Sequence, residues 1–169
     1  VILLCGAGLL AAAQFAKISL ILPEVAAQFN RDLAAVAPIV SVVGIVGIIG
    51  GVMAGAMVTR LGQRRVILTA LAAGGVLSLI QAVGIPYGAM LALRVLEGIS
   101  HLALVVAAPT VMIRLSHPRD QAVVMCLWAT FFGVSFALCA WVFPSFIAWG
   151  GVPLIWAGHG VLMLVLTLL

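Results

Sequence analysis

Residues 55–65 read Gly-Ala-Met-Val-Thr-Arg-Leu-Gly-Gln-Arg-Arg and separate two long apolar runs. Each run has the length of about 20 residues that an α-helix needs to cross the hydrocarbon core of a bilayer. Neither run shows the strict alternation of a barrel strand, and irregular backbone in lipid would leave its amide groups unpaired. The segment therefore predicts a short basic turn between two membrane-spanning helices.

The rest of the chain repeats this arrangement of apolar runs and polar breaks. The predicted spans are approximately residues 1–22, 35–58, 66–83, 87–113, 121–143 and 153–169. Of the 169 residues, 66% are hydrophobic and 7% are charged, whereas a soluble domain carries about 25% charged residues. We therefore expect an all-α polytopic bundle of six transmembrane helices that occupies the whole chain, in which Pro23 and Pro144 close spans one and five. Asp32 is expected to be the N-cap of span two.

The basic residues indicate how the bundle is oriented in the membrane. Five of them lie in the breaks after spans two and four, and they are Arg60, Arg64, Arg65, Arg114 and Arg119. On the other side only Arg31 lies in a loop. By the positive-inside rule, the two basic breaks and the amino end are cytoplasmic. The expected location is the plasma membrane, the inner membrane of a bacterium, and the net charge of +4 needs no nucleic acid to explain it.

The basic break at residues 55–65 resembles the signature of the major facilitator superfamily. That signature reads Gly-x-Leu-x-Asp-Arg-x-Gly-Arg-Arg and lies in the cytoplasmic loop between helices two and three. Gly55, Arg60, Gly62 and Arg64 match it, and Arg65 continues the basic run. The resemblance implies the amino-terminal six-helix half of a twelve-helix transporter, with the carboxy-terminal half missing. It also implies that this loop is a gating element that stabilises the outward-facing state.

Two positions of the loop depart from the signature. Thr59 stands where the family usually has Asp, and Gln63 where it often has Arg. The loss of one charge predicts that the gating interactions of this loop are weaker or use different partners. The alternative is that the arginines only set the topology. Residues 22–23 (Leu-Pro) and 94–98 (Arg-Val-Leu-Glu-Gly) are also similar to the family pattern.

Small residues recur on one face of span two. Gly47, Gly51 and Gly55 are spaced every four residues, and such spacing lets two membrane helices approach closely. We interpret Gly47 and Gly51 as a helix-packing surface. A static seam and a sliding surface between two rocking halves are both compatible with the spacing.

Two cations lie inside predicted spans, where an ionisable side chain costs about 2.5–3.5 kcal/mol and usually faces a cavity or a partner. Lys17 is roughly 9 Å and Arg94 roughly 12 Å from the same side of the membrane. Helices one and four line the central cavity in the fold that the chain resembles. The two cations therefore predict an anionic substrate, bound by Arg94 and Lys17, and Trp128 is a further candidate for the cavity wall.

Span four carries an acid and a histidine on the same face as Arg94. Glu97 and His101 follow it at i+3 and i+7, and a buried carboxylate near a histidine is a candidate proton-coupling site. Alternatively, Arg94 and Glu97 neutralise each other as a structural ion pair. Lys17 has no acid one turn away on its own helix, but it could reach outward towards Glu24.

The function predicted from these features is secondary active transport of a small organic anion by alternating access. The expected partners are that anion, a proton or other coupling ion, the lipid bilayer and the missing second half. Replacement of Arg94 by alanine should abolish transport without preventing insertion. No cofactor or metal is expected, because the three cysteines show no ligand spacing, and the chain is not expected to be an enzyme.

Two other functions remain open from the sequence. The first is a membrane sensor or assembly subunit that does not transport. The second is an intramembrane hydrolase, for which residues 98–100 (Gly-Ile-Ser) could supply the nucleophile and His159 the base. The abrupt apolar ends, with no initial methionine, suggest a fragment of a longer protein.

Overall fold

The computed structural model describes all of residues 1–169, and every regular element in it is helical. The α-helices are α1 (Ile2–Ser19), α2 (Leu22–Gln28), α3 (Leu33–Leu61), α4 (Gln63–Gln81), α5 (Tyr87–Leu115), α6 (Gln121–Ala129) and α7 (Phe131–Leu168). A 3-10 turn, Pro118–Asp120, precedes α6. Five helical stretches are long and apolar enough to cross a membrane, and the last of them is the 51-residue stretch Pro118–Leu168. The predicted all-α class is confirmed.

The last stretch contains a reversal of the chain, which supplies a sixth apolar segment. Ser135 Oγ donates a hydrogen bond to the carbonyl oxygen of Leu9 at 2.8 Å, and Nε2 of His159 lies 3.0 Å from that of Leu10. A straight helix would place residues 135 and 159 about 36 Å apart, yet both contact neighbouring residues of α1. The reversal occurs at Gly151, whose φ of 70° and ψ of −169° are not helical. We therefore divide α7 into α7a (131–150) and α7b (152–168).

Two prolines have different roles from those predicted. Pro23 does not end a span, because it lies in the first turn of α2, where its missing N–H would have no helical partner anyway. Pro144 was expected to end span five, but α7a continues past it. In a membrane bundle, neighbouring helices compensate for the hydrogen bond that such a proline removes. The prediction for Asp32 is confirmed, since its Oδ1 accepts a 2.7 Å hydrogen bond from the amide of Ala35.

Glycines create a close contact between the backbones of α4 and α7b. A Cβ atom added to Gly160 would lie 2.8 Å from the carbonyl oxygen of Gly75, and one added to Gly75 would lie 3.0 Å from that of Gly160. The two backbones therefore touch directly, which is the geometry that small residues permit in membrane proteins. By contrast, a Cβ atom added to Gly47 or Gly51 would meet no atom within 4 Å. That glycine face of α3 points out of the bundle.

Replacement of Gly160 by alanine should therefore destabilise the bundle by forcing α4 and α7b apart. The matched control is Gly133→Ala, because Gly133 is also helical but a Cβ atom there would meet open space. We expect a lower midpoint of thermal unfolding in detergent for Gly160→Ala, and an unchanged or slightly higher one for Gly133→Ala. Equal midpoints for the two variants would contradict the close contact.

Candidate functional site

A cluster of three charged side chains lies at the centre of the bundle. Lys17 of α1 and both Arg94 and Glu97 of α5 are completely buried. Oε1 of Glu97 is 2.5 Å from Nζ of Lys17, and Oε2 is 2.6 Å from Nη1 of Arg94. Gln81 of α4 donates a further hydrogen bond to Oε2 at 2.7 Å. One carboxylate therefore holds two cations that come from two different helices.

Lys17 and Arg94 also donate hydrogen bonds to neighbouring helices. Nε of Arg94 donates to the carbonyl oxygen of Ile39 in α3 at 3.0 Å, and Nζ of Lys17 donates to Oγ of Ser78 in α4 at 2.8 Å. Nη2 of Arg94 is buried without a hydrogen-bond partner. The cluster thus connects α1, α3, α4 and α5 and retains one unused donor group.

The cluster carries one uncompensated positive charge. Glu97 is the only acidic residue inside the apolar segments, since the other three are Glu24, Asp32 and Asp120. The predicted alternative of an Arg94–Glu97 ion pair does form, but Lys17 shares the same carboxylate. Lys17 therefore does not extend towards Glu24, and its partner is an acid on another helix.

Ser78 joins this cluster to a buried histidine. Its hydroxyl donates to the carbonyl oxygen of Trp156 at 2.7 Å, and it also lies 3.1 Å from Nδ1 of His159. This connection could not be predicted from the sequence, because Ser78 and His159 belong to different helices. The only available signal was that both are polar residues within apolar runs.

His101 forms no hydrogen bond or ion pair with Glu97, although the two were predicted to act together. Nδ1 of His101 lies 2.8 Å from the carbonyl oxygen of Ala11, and its ring meets the edge of Phe15 at a centroid distance of 4.9 Å. Because a carbonyl oxygen can only accept, Nδ1 carries the hydrogen in this contact. Nε2 makes no hydrogen bond within the chain and belongs to a half-buried side chain.

Trp128 packs on α1 rather than near the charged cluster. A Cβ atom added to Gly8 would come 2.7 Å from its ring, so the indole covers the backbone of α1 at that point. The same ring stacks on Phe131 at a centroid distance of 4.6 Å. Trp128 is half-buried and forms one end of a row of aromatic side chains on α6 and α7a.

The residues proposed for a hydrolase do not form a nucleophile–base pair. Ser100 Oγ donates to the carbonyl oxygen of Ala70 at 2.8 Å and accepts a hydrogen bond from Gln14 at 3.2 Å. His159 instead contacts Ser78. A serine is activated by a base within hydrogen-bond reach, and Ser100 has none.

The basic loop after α3 exposes its arginines. Arg60, Arg64 and Arg65 are all exposed, and none forms an ion pair within the chain. Thr59, at the position of the usual Asp, donates its hydroxyl to the carbonyl oxygen of Ala56 at 2.8 Å. Its side chain is thereby tied to its own helix and not to an arginine.

The rest of the loop is held by a glycine and a glutamine. Gly62 adopts a φ of 85°, which a residue with a side chain rarely accepts. Nε2 of Gln63 donates to Thr110 at 3.0 Å, and Oε1 of Gln63 accepts from Arg114 at 2.9 Å. Gln63, where the signature often has Arg, therefore fixes the start of α4 against the end of α5.

A cavity of about 830 Å³ lies between α1 and the two segments of α7. Most of the residues that line it are apolar, and Lys17 and His159 are among the few polar ones. Its walls are suited to hydrocarbon, and the charged cluster lies at its inner boundary.

Comparison with known proteins identifies the family. No curated protein matches the chain. The sequence model described as Major Facilitator Superfamily matches residues 4–169, which is all but the first three residues. The resemblance inferred from residues 55–65 is thereby confirmed, and it agrees with the all-helical apolar bundle. The chain belongs to the major facilitator superfamily, a family of membrane transporters.

Proposed function

We propose that this chain forms one half of a secondary active transporter that moves a small organic anion by alternating access. The family supports membrane transport in general. The observation that carries the anion is the charged cluster, in which Lys17 and Arg94 share the single carboxylate of Glu97. A positive charge held in a membrane protein without an acid favours a bound anion nearby.

The Coulomb energy between the excess positive charge and an anion depends on the distance between them. At an effective dielectric constant of about 20, one unit charge attracts an anion about 10 Å away by roughly 1.7 kcal/mol. That energy corresponds to a change in affinity of about tenfold to twentyfold. Because Lys17 and Arg94 are completely buried, their proposed role is to supply this field. Nη2 of Arg94 remains as a donor for direct contact if α3 and α5 separate during the transport cycle.

We further propose that the coupling ion is a proton. His101 presents an unused Nε2 on a half-buried side chain, whereas the oxygens of Glu97 are occupied by Lys17, Arg94 and Gln81. His101 is therefore the better placed of the two predicted groups to exchange a proton. Glu97 would influence proton binding at His101 indirectly, because it sets the net charge of the cluster.

The second half of the transporter has two proposed contact surfaces on this chain. The first is the basic loop, whose Arg60, Arg64 and Arg65 have no acidic partner in this half. The second is the outward glycine face of α3 that includes Gly47 and Gly51. In this proposal the loop is cytoplasmic and gates the outward-facing state, and the protein resides in the inner membrane of a bacterium.

The proposal of an anionic substrate is tested by comparing acids with amides of the same shape. The purified full-length protein is titrated with benzoate, benzamide, hexanoate and hexanamide, and the midpoint of thermal unfolding is followed. We expect each anion to raise the midpoint in a saturable way and each neutral amide to have little effect, because the amide lacks the charge that the cluster attracts. Equal stabilisation by acid and amide, or none by either acid, would overturn the proposal.

A further inference from the structure

Four ring side chains form a continuous surface, which we call the aromatic face, beside the charged cluster. It consists of Phe15 of α1, His101 of α5, and Phe132 and Phe136 of α7a. The ring centroids of Phe15 and His101 are 4.9 Å apart, those of Phe15 and Phe132 are 5.8 Å apart, and those of Phe132 and Phe136 are 5.1 Å apart. None of the four is fully buried, so each can meet a molecule outside the bundle.

The polarity of His101 indicates that the aromatic face meets water or polar groups rather than lipid. Its imidazole is half-buried, and Nε2 has no hydrogen-bond partner in the chain. A polar ring exposed to hydrocarbon at this depth is costly, and such groups usually face the bundle interior or water. Phe15 contacts the imidazole, and Phe132 and Phe136 continue the apolar surface beyond Phe15.

The hydrogen-bonding state of His101 specifies what kind of group can bind it. Nδ1 donates to the carbonyl oxygen of Ala11, so in the neutral ring Nε2 is an acceptor. A carboxylate has only acceptor oxygens and can bond Nε2 only when a proton lies between them. One proton must therefore be taken up with each carboxylate, and it forms an N–H bond at Nε2.

We propose that the aromatic face binds an aromatic acid, with its ring against Phe15 and Phe132 and its carboxylate on Nε2 of His101. This inference rests on the proposed transport of an organic anion and names the class of that anion. Water on the entry side supplies the proton that forms the N–H bond at Nε2, and the proton returns to water when the acid leaves; no other bond changes. Aromatic rings in contact at these separations attract beyond their buried area, which selects flat rings over saturated ones.

The charged groups around His101 carry one excess positive charge, which opposes protonation of the imidazole until a carboxylate is bound beside it. On its own helix these are Arg94 and Glu97, and on α1 the nearest is Lys17, all three joined in the charged cluster. The ring that α1 places against the imidazole is Phe15, and Phe15 in turn contacts Phe132 of α7a; neither side chain carries a charge. The charged cluster therefore attracts the carboxylate from a distance, whereas the proton binds at Nε2 of His101.

The proposal is tested with two acids of equal charge and similar size, benzoate and cyclohexanecarboxylate. We expect the purified full-length protein to bind benzoate about threefold to tenfold more tightly, because only benzoate has a flat ring that stacks. The replacement Phe132→Leu should remove this preference. The control Trp149→Leu also deletes an aromatic ring, but Trp149 is exposed at the far end of α7a, and the preference should persist.

The role of His101 is tested by counting the protons taken up with each bound benzoate. We expect one proton per benzoate in the native protein and none in His101→Asn, whose amide can still donate to the carbonyl oxygen of Ala11. Equal affinities for the two acids, or no proton uptake by the native protein, would overturn the inference. If hexanoate and cyclohexanecarboxylate bind as well as benzoate, transport of an organic anion stands and the aromatic class fails. If no acid binds, both proposals fail.

Discussion

Replacement of Glu97 by glutamine is expected to cause the largest loss of stability of any single substitution in the cluster. Glutamine has nearly the same shape, so packing is preserved, but Lys17 and Arg94 are left buried without an acid. Removal of one partner from a buried ion pair costs about 3–5 kcal/mol. We expect the midpoint of thermal unfolding in detergent to fall by about 10 °C or more.

The double variant Lys17→Met/Glu97→Gln provides the control for charge. It removes one cation together with the carboxylate, so the cluster keeps the single positive charge of the native protein. We expect it to recover a substantial part of the stability lost in Glu97→Gln. If the single variant unfolds at the native temperature, or if the double variant is less stable than the single one, the ion cluster is not what holds these helices together.

Replacement of Arg94 by glutamine should have the opposite profile, with a small loss of stability and a large loss of anion binding. Glu97 still pairs with Lys17 in this variant, so no buried charge is left alone. The excess positive charge is gone, and with it an attraction of roughly 1.7 kcal/mol for an anion about 10 Å away. We expect the affinity for benzoate and hexanoate to fall by at least about tenfold. Glutamine is preferable to alanine here, because alanine would also leave a cavity.

Two further variants separate the field of the cluster from direct contact by Arg94. Lys17→Gln also removes one cation and leaves a neutral pair, so it should weaken anion binding to a similar degree. Arg119→Gln removes the same charge from an exposed site, and its binding should be unchanged because solvent screens that charge. Native affinity in both Arg94→Gln and Lys17→Gln would contradict a role for the excess charge.

The parts of the fold that could be predicted from the sequence are those determined locally. The length and apolarity of the runs identify membrane helices, and the cap at Asp32 follows from residues three positions apart. The reversal at Gly151 was placed only approximately, because Pro144 suggested an earlier end to the helix. Tertiary contacts compensate for a proline inside a membrane bundle, and these contacts cannot be read from one segment.

The parts of the site that could not be predicted depend on how helices distant in sequence pack together. Lys17 and Glu97 are in contact although they lie 80 residues apart in the sequence, and no local pattern predicts such a pair. The same holds for Gly75 and Gly160, whose contact depends on the register of α4 against α7b. The evident glycine repeat on α3, by contrast, predicted a packing surface that has no partner among these helices.

The most direct test of anion transport is the initial rate of uptake of labelled benzoate and hexanoate into proteoliposomes. The full-length native protein, Arg94→Gln and protein-free liposomes are compared under an inward proton gradient. We expect saturable uptake of at least one acid by the native protein, well above the leak into protein-free liposomes, and a loss of at least about tenfold in Arg94→Gln at low substrate concentration. Uptake by the native protein no faster than the leak, or full uptake by Arg94→Gln, would contradict the account.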